Sequence, residues 1–255
     1  MSLNGRMKPA EWGRYMPVHN PISGDGPWFY RGTEVVMVEF ATEADAVLDI
    51  LPSDLELLEP AAGFMIIETN HWTTIGTYSE VYIGLMCTWQ GEPYAYVPGV
   101  YVTGEASQLV GREIFGFGKK RADRIEVITH DDGTVEAAMD VKPGDRALRA
   151  NMRLSNNEPA EAFGGVPLIC LKVVPDAEGG PPALAQLVSV SFSAEPIIGS
   201  DGRAEVYSGA GTMAFDAPSD VNFPLTGIGS CLYSKFHAVL PYGKILKTYT
   251  QDELG

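Results

Sequence analysis

The sequence predicts an α+β fold that is β-rich, with a mainly antiparallel sheet that closes into a barrel-like cavity and carries a few short helices. Many short apolar runs are separated by glycine and proline, which number 28 and 18, and this punctuation favours strands joined by turns. Only one segment has clear helical periodicity. Sheets of this kind often close on themselves, because closure removes exposed edges and leaves a cavity in the mouth of the barrel.

The first half of the chain predicts one helix among several strands. A β-branched run at residues 35–38 indicates a strand. Residues 42–51 predict a short helix, because apolar residues recur there at helical spacing between a Thr42 cap and Pro52. Further strands are predicted at residues 63–68, 80–86 and 95–102. Pro98 places the last of these at an edge or a bulge.

The second half continues the pattern of strands. Residues 106–112 are long enough for one or two helical turns. Asp132-Gly133, between alternating runs at 124–129 and 134–141, predicts a hairpin. Two more strands are predicted at residues 168–174 and 187–192.

No repeat, low-complexity tract or linker divides the 255 residues, so we predict a single domain over residues 1–255. A chain of this length can bury a full hydrophobic core. We expect residues 1–3 to be an addition before a natural start at Met7, and they carry no argument about the fold.

The charge balance limits the partners of the protein. The net charge is −15, from 33 acidic and 18 basic residues, which disfavours nucleic acid and anionic membranes because both bind concentrated Lys and Arg. No run approaches the roughly 20 apolar residues of a membrane span. We expect a cytoplasmic protein whose cysteines, Cys87, Cys170 and Cys231, are free packed thiols.

Three consecutive cations, Lys119, Lys120 and Arg121, follow Phe-Gly-Phe-Gly at residues 115–118. In an acidic protein this cluster has two interpretations. One is a solvated basic turn. The other is that one lysine points into an aromatic-lined cavity while its neighbour supplies a nearby positive charge. Burial and a like charge both favour the neutral amine, and a neutral amine is the form that attacks a carbonyl carbon to make an imine.

Residues 111–120, Gly-Arg-Glu-Ile-Phe-Gly-Phe-Gly-Lys-Lys, resemble the signature of acetoacetate decarboxylases, in which Gly-Arg-Glu is followed by aromatic-Pro-Lys-Lys. In that family a lysine is activated by a cationic neighbour. Other segments agree in order and spacing. Residues 50–57 resemble a Val-Pro-Glu-Pro-Leu region, residues 76–80 a Gly-x-Tyr-x-Glu element, and residues 171–176 a Leu-Lys-Ile-Ile-Pro stretch. The resemblance covers residues 27–215.

Carried over by position, the resemblance assigns roles to three catalytic residues. Lys119 is the imine-forming nucleophile, Lys120 its electrostatic neighbour, and Glu80 a carboxylate that faces the cavity and moves protons. The resemblance also assigns substrate-binding positions, to Tyr78, Tyr101, Phe115, Phe117 and Arg31. The alternative for Glu80 is a surface position on a strand, and isolated aromatic residues are more often plain core.

The sequence departs from the family at three points. Gly118 stands where the family has proline, and a second cavity carboxylate falls on Met65 in a gap-free alignment. The N-terminal arginine falls on Thr33, with Arg31 two positions away. We therefore predict a carbon–carbon lyase that forms an imine on Lys119 with a small oxo acid, with the decarboxylation of acetoacetate itself left open. An aldolase-dehydratase acting on pyruvate-derived 2-oxo acids is the first alternative, and a non-catalytic β-barrel that binds an apolar ligand is the second.

No metal or organic cofactor is predicted. His19, His71, His130 and His237 lack metal-ligand spacing, and the imine itself serves as the electron sink that a cofactor would otherwise supply. The resemblance implies a homo-oligomer, although no interface can be identified in the sequence.

Overall fold

A computed structural model describes residues 3–255, so residues 1 and 2 of the predicted N-terminal addition lie outside it. The strands are β1 (Trp28–Ala41), β2 (Glu56–Leu57), β3 (Ala62–Asn70), β4 (Trp72–Thr73), β5 (Tyr78–Trp89), β6 (Glu92–Tyr96), β7 (Val100–Val102), β8 (Lys119–Arg121), β9 (Arg124–Thr129), β10 (Thr134–Lys142), β11 (Asp145–Arg153), β12 (Asn156–Asn157), β13 (Leu168–Val174), β14 (Leu184–Val190), β15 (Ser193–Pro196), β16 (Val206–Gly209), β17 (Gly211–Phe215), β18 (Gly227–Leu240) and β19 (Lys244–Thr248). The helices are α1 (Ala44–Leu48), α2 (Glu105–Val110) and α3 (Gln251–Leu254). A π-helical turn (Gly111–Phe115) continues α2, and short 3₁₀ turns occupy Pro9–Glu11 and Ala160–Ala162.

The strands form two sheets. The large one has 15 strands. Ten of them follow the path β12-β16-β18-β1-β3-β5-β6-β13-β14-β19, and five more, β2, β4, β7, β8 and β15, are attached beside it. The small one has the order β17-β11-β10-β9. Among the strands described, two ladders are parallel, that between β13 and β6 and that between β7 and β8, and the others are antiparallel. This confirms the predicted β-rich, mainly antiparallel class with few short helices.

The small sheet covers one face of the large sheet, and the main core lies between them. Residues alternate between the two faces of a strand, so Val81, Ile83 and Leu85 of β5 point into this core, where they pack with Met139 and Leu148 of the small sheet. The alternate residues of β1, β3 and β5 point to the opposite face. A second apolar cluster and the functional cavity lie there.

Strands from distant parts of the chain surround that cavity. β14 pairs with β13, while β15 pairs with β18, and only Ser191 and Phe192 separate β14 from β15. The main pairing path ends at β12 and β19, which do not pair with each other in the described part of the chain. Closure into a barrel therefore stays a prediction.

The predicted elements are confirmed with shifted ends. β9 and β13 have the predicted bounds, and β10 is one residue longer at its end. The strand predicted at 95–102 is divided around Pro98 into β6 and β7. Helix α1 is shorter than predicted and is preceded by Glu43, not Thr42, because the Thr42 amide still donates to the carbonyl of Ala61. All three cysteines are free and buried, as expected. No helix within residues 3–255 has the length and apolarity to cross a membrane.

Candidate active site

Two carboxylates face the cavity from neighbouring strands. Glu68 of β3 and Glu80 of β5 are direct partners in the antiparallel ladder. On each strand the flanking residues, such as Ile67 and Val81, point into the core between the sheets, so alternation directs both glutamates to the same cavity. Glu80 is buried and Glu68 is partly buried.

Lys119 reaches the same cavity from β8, which pairs in parallel with β7 through Lys119 and Val100. The π-helical turn before β8 supplies the space for its side chain. A β-carbon on Gly111 would lie 2.6 Å from Lys119 Cε, so only glycine fits without moving the lysine. The turn ends at Gly116, whose φ of +81° is a left-handed conformation that favours glycine.

The central contact of the site joins Lys119 to Glu80. The Lys119 Nζ lies 2.5 Å from Glu80 Oε2, and the two residues are only 5% and 7% exposed. Aromatic rings flank the amine, with Nζ 5.6 Å from the centre of the Tyr78 ring and 5.5 Å from that of Phe117. Because water is largely excluded, the carboxylate is the nearest group that can take a proton from the amine.

Glu68 is a second carboxylate that the sequence analysis missed. Its Oε1 accepts a 2.8 Å hydrogen bond from Asn70 Nδ2, and Asn70 Oδ1 accepts one of 2.8 Å from Thr33 Oγ1. Burial and the nearby charge of Glu80 raise the pKa of Glu68 to about 8, so this carboxyl is mainly protonated at neutral pH. The expectation that the cavity has lost its second carboxylate is therefore wrong. Met65, on which that carboxylate falls in a gap-free alignment, points into the opposite core.

The site contains two neighbouring cavities that share part of their lining. The one next to the amine, here called the lysine chamber, is lined by Lys119, Glu80, Tyr78, Phe115, Phe117 and Val110, among others, and has a volume of about 20 Å³. The larger one, here called the outer cavity, has a volume of about 440 Å³ and lies between β1, β3, β5, β13, β14, β15 and β18. Tyr30, Glu68 and Phe192 line both cavities and mark their junction.

Four of the predicted residues come together in the lysine chamber beside Lys119: Glu80, Tyr78, Phe115 and Phe117. The Tyr78 hydroxyl lies 3.2 Å from the hydroxyl of Tyr30, which the sequence analysis did not single out. The only signal in the sequence for Tyr30 and Glu68 is the alternation of side chains between the two faces of a strand, which places both residues on the cavity face once β1 and β3 are assigned.

The structure corrects the predicted site at three residues that do not line the two cavities described: Lys120, Tyr101 and Arg31. Lys120 follows Lys119 on a strand and so points to the opposite face, where its Nζ lies 2.6 Å from Asp220 Oδ2 and its side chain is 60% exposed. Asp220 raises the pKa of Lys120, so this ammonium is neutralised locally and stabilised in its charged form. A role as electrostatic neighbour of Lys119 does not fit this position.

Tyr101 also faces away from the cavity. Its ring belongs to the core between the sheets, and its hydroxyl donates to Asp220 Oδ2 at 3.2 Å. Arg31 is exposed and lies over the Phe29 ring, with Nη1 donating to the carbonyl of Tyr30. Neither residue lines the two cavities described.

A buried lysine in contact with a buried carboxylate beside a cavity is an arrangement typical of enzyme active sites. The family model described as acetoacetate decarboxylase (ADC) matches residues 15–250. The chain therefore belongs to the acetoacetate decarboxylase family, which confirms the resemblance seen in residues 111–120.

Individual relatives agree with this assignment. Acetoacetate decarboxylase 3 of Mesorhizobium japonicum is 25% identical over 169 residues, which are 65% of this chain and 65% of that relative. The match thus spans less than two thirds of the relative's length. The crystal structure of acetoacetate decarboxylase from Legionella pneumophila has a TM-score of 0.81 at 22% identity and covers 98% of this chain and 99% of its own.

The third similar protein is a biosynthetic enzyme of known structure. The enduracididine biosynthesis enzyme MppR complexed with pyruvate has a TM-score of 0.77 at 22% identity, over 92% of this chain and 98% of its own. At such identities the solved structures support the fold alone. The family model and the relative from Mesorhizobium japonicum are both named for acetoacetate decarboxylase, in agreement with the predicted class of carbon–carbon lyase.

Proposed function

We propose that the protein is an imine-forming lyase that decarboxylates a 3-oxo acid on Lys119. One observation carries the proposal, namely the 2.5 Å contact between the Lys119 amine and the Glu80 carboxylate, both of which line the lysine chamber. A buried amine beside a base, with open space next to both, is the arrangement that nucleophilic attack on a carbonyl carbon requires.

The reaction begins with the transfer of a proton from the Lys119 ammonium to Glu80, which leaves a neutral amine. The amine attacks the substrate carbonyl, and one proton of the amine passes to the carbonyl oxygen to give the carbinolamine. The protonated Glu80 then returns its proton to the carbinolamine hydroxyl, which leaves as water, and an iminium remains. The bond between the α-carbon and the carboxylate then breaks. Its electron pair moves toward the iminium nitrogen, so CO₂ leaves and an enamine remains.

Glu68 completes the cycle as a proton donor. Its raised pKa keeps it mainly protonated at neutral pH, and it lines both the lysine chamber and the outer cavity. Glu68 delivers a proton to the enamine carbon, and attack of water on the iminium frees the ketone and the Lys119 ammonium. Glu68 then takes up a proton from solvent, which resets the site. Two carboxyls in one site thereby take opposite roles, with Glu80 as base and Glu68 as acid.

The charges of the site favour decarboxylation. Of the described residues that line the two cavities, Lys119 is the sole cation, while Glu39, Glu68 and Glu80 are acidic. A substrate carboxylate therefore has no arginine to stabilise it, and its loss as CO₂ relieves an unfavourable charge. We infer also that the large sheet closes around the cavity, because β14 and β15, two residues apart, pair with β13 and β18 respectively.

An aldolase-dehydratase acting on pyruvate-derived 2-oxo acids is the second candidate. The protonated Glu68 favours it, because a carboxylic acid near the imine can protonate a departing hydroxyl. The likeness to MppR, which was solved with pyruvate, points in the same direction.

Borohydride trapping with peptide mapping tests the proposal. The protein is incubated separately with acetoacetate and with pyruvate, and the reduced adduct is located. We expect the adduct on Lys119, its absence in Lys119→Met, and its retention in Lys120→Met, the matched control for the neighbouring lysine. Release of CO₂ from the 3-oxo acid separates the decarboxylase from the aldolase. An adduct that persists in Lys119→Met would exclude the assigned nucleophile.

A further inference from the structure

The lysine chamber is too small to hold a whole substrate. Its volume of about 20 Å³ is close to the roughly 10–15 Å³ that one water molecule requires. The reacting carbonyl fills this space, and the remainder of the substrate must extend through the junction at Tyr30, Glu68 and Phe192 into the outer cavity.

The outer cavity is far larger than acetoacetate needs. Its volume is about 440 Å³, whereas a cavity of roughly 150 Å³ is enough for benzene. Clefts of roughly 300–1,000 Å³ are those that bind drug-sized ligands. An acid the size of acetoacetate would leave most of this space unfilled.

The lining of the outer cavity is apolar and aromatic. Its members include Met37, Phe64, Ile66, Tyr82, Met86 and Phe236. The acidic members are Glu68 at the junction and Glu39, which is exposed, and no cation lines the outer cavity among residues 3–255. The lining therefore suits a neutral apolar group and disfavours a second anionic group.

Two alanines keep part of the outer cavity open. Ala194 of β15 and Ala238 of β18 are direct partners in an antiparallel ladder, and both line the cavity. Larger side chains on this pair would project into the space. The two alanine side chains thus leave space in the outer cavity, whose lining also contains larger aromatic and branched side chains.

We propose that the substrate is a monocarboxylic oxo acid with an uncharged apolar arm at least as large as a phenyl group, and that this arm occupies the outer cavity. The inference rests on the proposed imine chemistry at Lys119 for its catalytic readout, but the binding of the arm can be measured without that chemistry. Dicarboxylic oxo acids are excluded, because no cation among the described lining residues of the outer cavity could pair with a second carboxylate, and Glu39 carries a charge of the same sign.

The catalytic test compares acetoacetate with the analogue in which a phenylethyl group replaces its terminal methyl. We expect kcat/KM for the analogue to exceed that for acetoacetate by roughly tenfold or more, the discrimination that apolar pockets provide. Ala238→Phe, which fills the outer cavity, should lower the ratio of the two values at least tenfold. Ala214→Phe, at an exposed position on β17, is the matched control and should leave the ratio unchanged.

A binding measurement separates this inference from the proposed function. Calorimetry on Lys119→Met, which cannot form the imine, compares benzylacetone, the expected decarboxylation product of the analogue, with acetone. Binding of benzylacetone at least tenfold tighter than acetone, weakened by Ala238→Phe, supports the apolar arm even if no adduct ever forms on Lys119. Equal kcat/KM for the two acids, or no preference for benzylacetone, overturns the inference, while trapping of acetoacetate on Lys119 would leave the proposed function standing.

Discussion

Replacement of Glu68 by glutamine tests the protonation state on which the acid role of Glu68 depends. The pKa of Glu68 is about 8 in the fold, against an ordinary value of 4.5. Between these two values the folded protein holds a proton that the unfolded chain has lost. The contribution of Glu68 to stability therefore falls as the pH rises through this window.

The change in the free energy of unfolding with pH follows from the difference in bound protons between the folded and the unfolded state. One proton of difference changes the free energy of unfolding by about 1.4 kcal/mol per pH unit, so the wild type should lose up to about 4 kcal/mol between pH 5 and pH 8 relative to Glu68→Gln. Titrating groups that do not interact with Glu68 are shared by both proteins and cancel in the difference, whereas Glu80 and Lys119 interact with Glu68 directly.

Urea unfolding of the two proteins at several pH values gives this difference directly. Glu92→Gln, at an exposed glutamate on β6, controls for the loss of a carboxylate at the surface. If Glu68→Gln and the wild type differ by a constant amount from pH 5 to pH 8, Glu68 is ionised throughout. The assignment of Glu68 as the acid of the site would then be refuted.

Three further variants test the site and its frame. Glu80→Gln removes the base beside the amine and should slow imine trapping by roughly 10²- to 10⁴-fold, with trapping at the wild-type rate as the contrary result. Gly111→Ala places a β-carbon against Lys119 Cε and should lower the trapping rate by about 10²-fold while the circular dichroism spectrum stays native; unaltered trapping would show that the glycine is not needed for space. Ile83→Ala, at a fully buried position between the sheets, should cost about 2–5 kcal/mol in urea unfolding, and a cost below about 1 kcal/mol would contradict the core described.

The local parts of the site could be predicted from the sequence. Lys119 follows from the resemblance of residues 111–120 to the family, and Glu80 follows from the resemblance of residues 76–80. Alternation also predicts that Lys119 and Lys120 point to opposite faces once both are assigned to β8. The resemblance favoured two cooperating lysines, and the geometry of a three-residue strand overrules that expectation.

The non-local parts of the site could not be predicted. Glu68 acts in the site because β3 and β5 pair in one particular register, and a single sequence does not reveal which residue of one strand faces which residue of another. The long strand β18 was missed for a related reason. Glycine, serine, lysine and histidine interrupt its apolar pattern, and only its many partners, β1, β15 and β16, hold it in the sheet.

The opposition of Glu68 and Glu80 in one ladder has a consequence for how faithfully the chain folds. A slip of one residue between β3 and β5 would turn a carboxyl into the dry layer between the sheets and turn an isoleucine or valine toward the cavity. Burial of an unpaired carboxyl there would cost several kcal/mol. The two carboxyls that we assign to proton transfer thus also destabilise a misaligned pairing of β3 and β5. The native register is therefore favoured during folding, independently of any substrate.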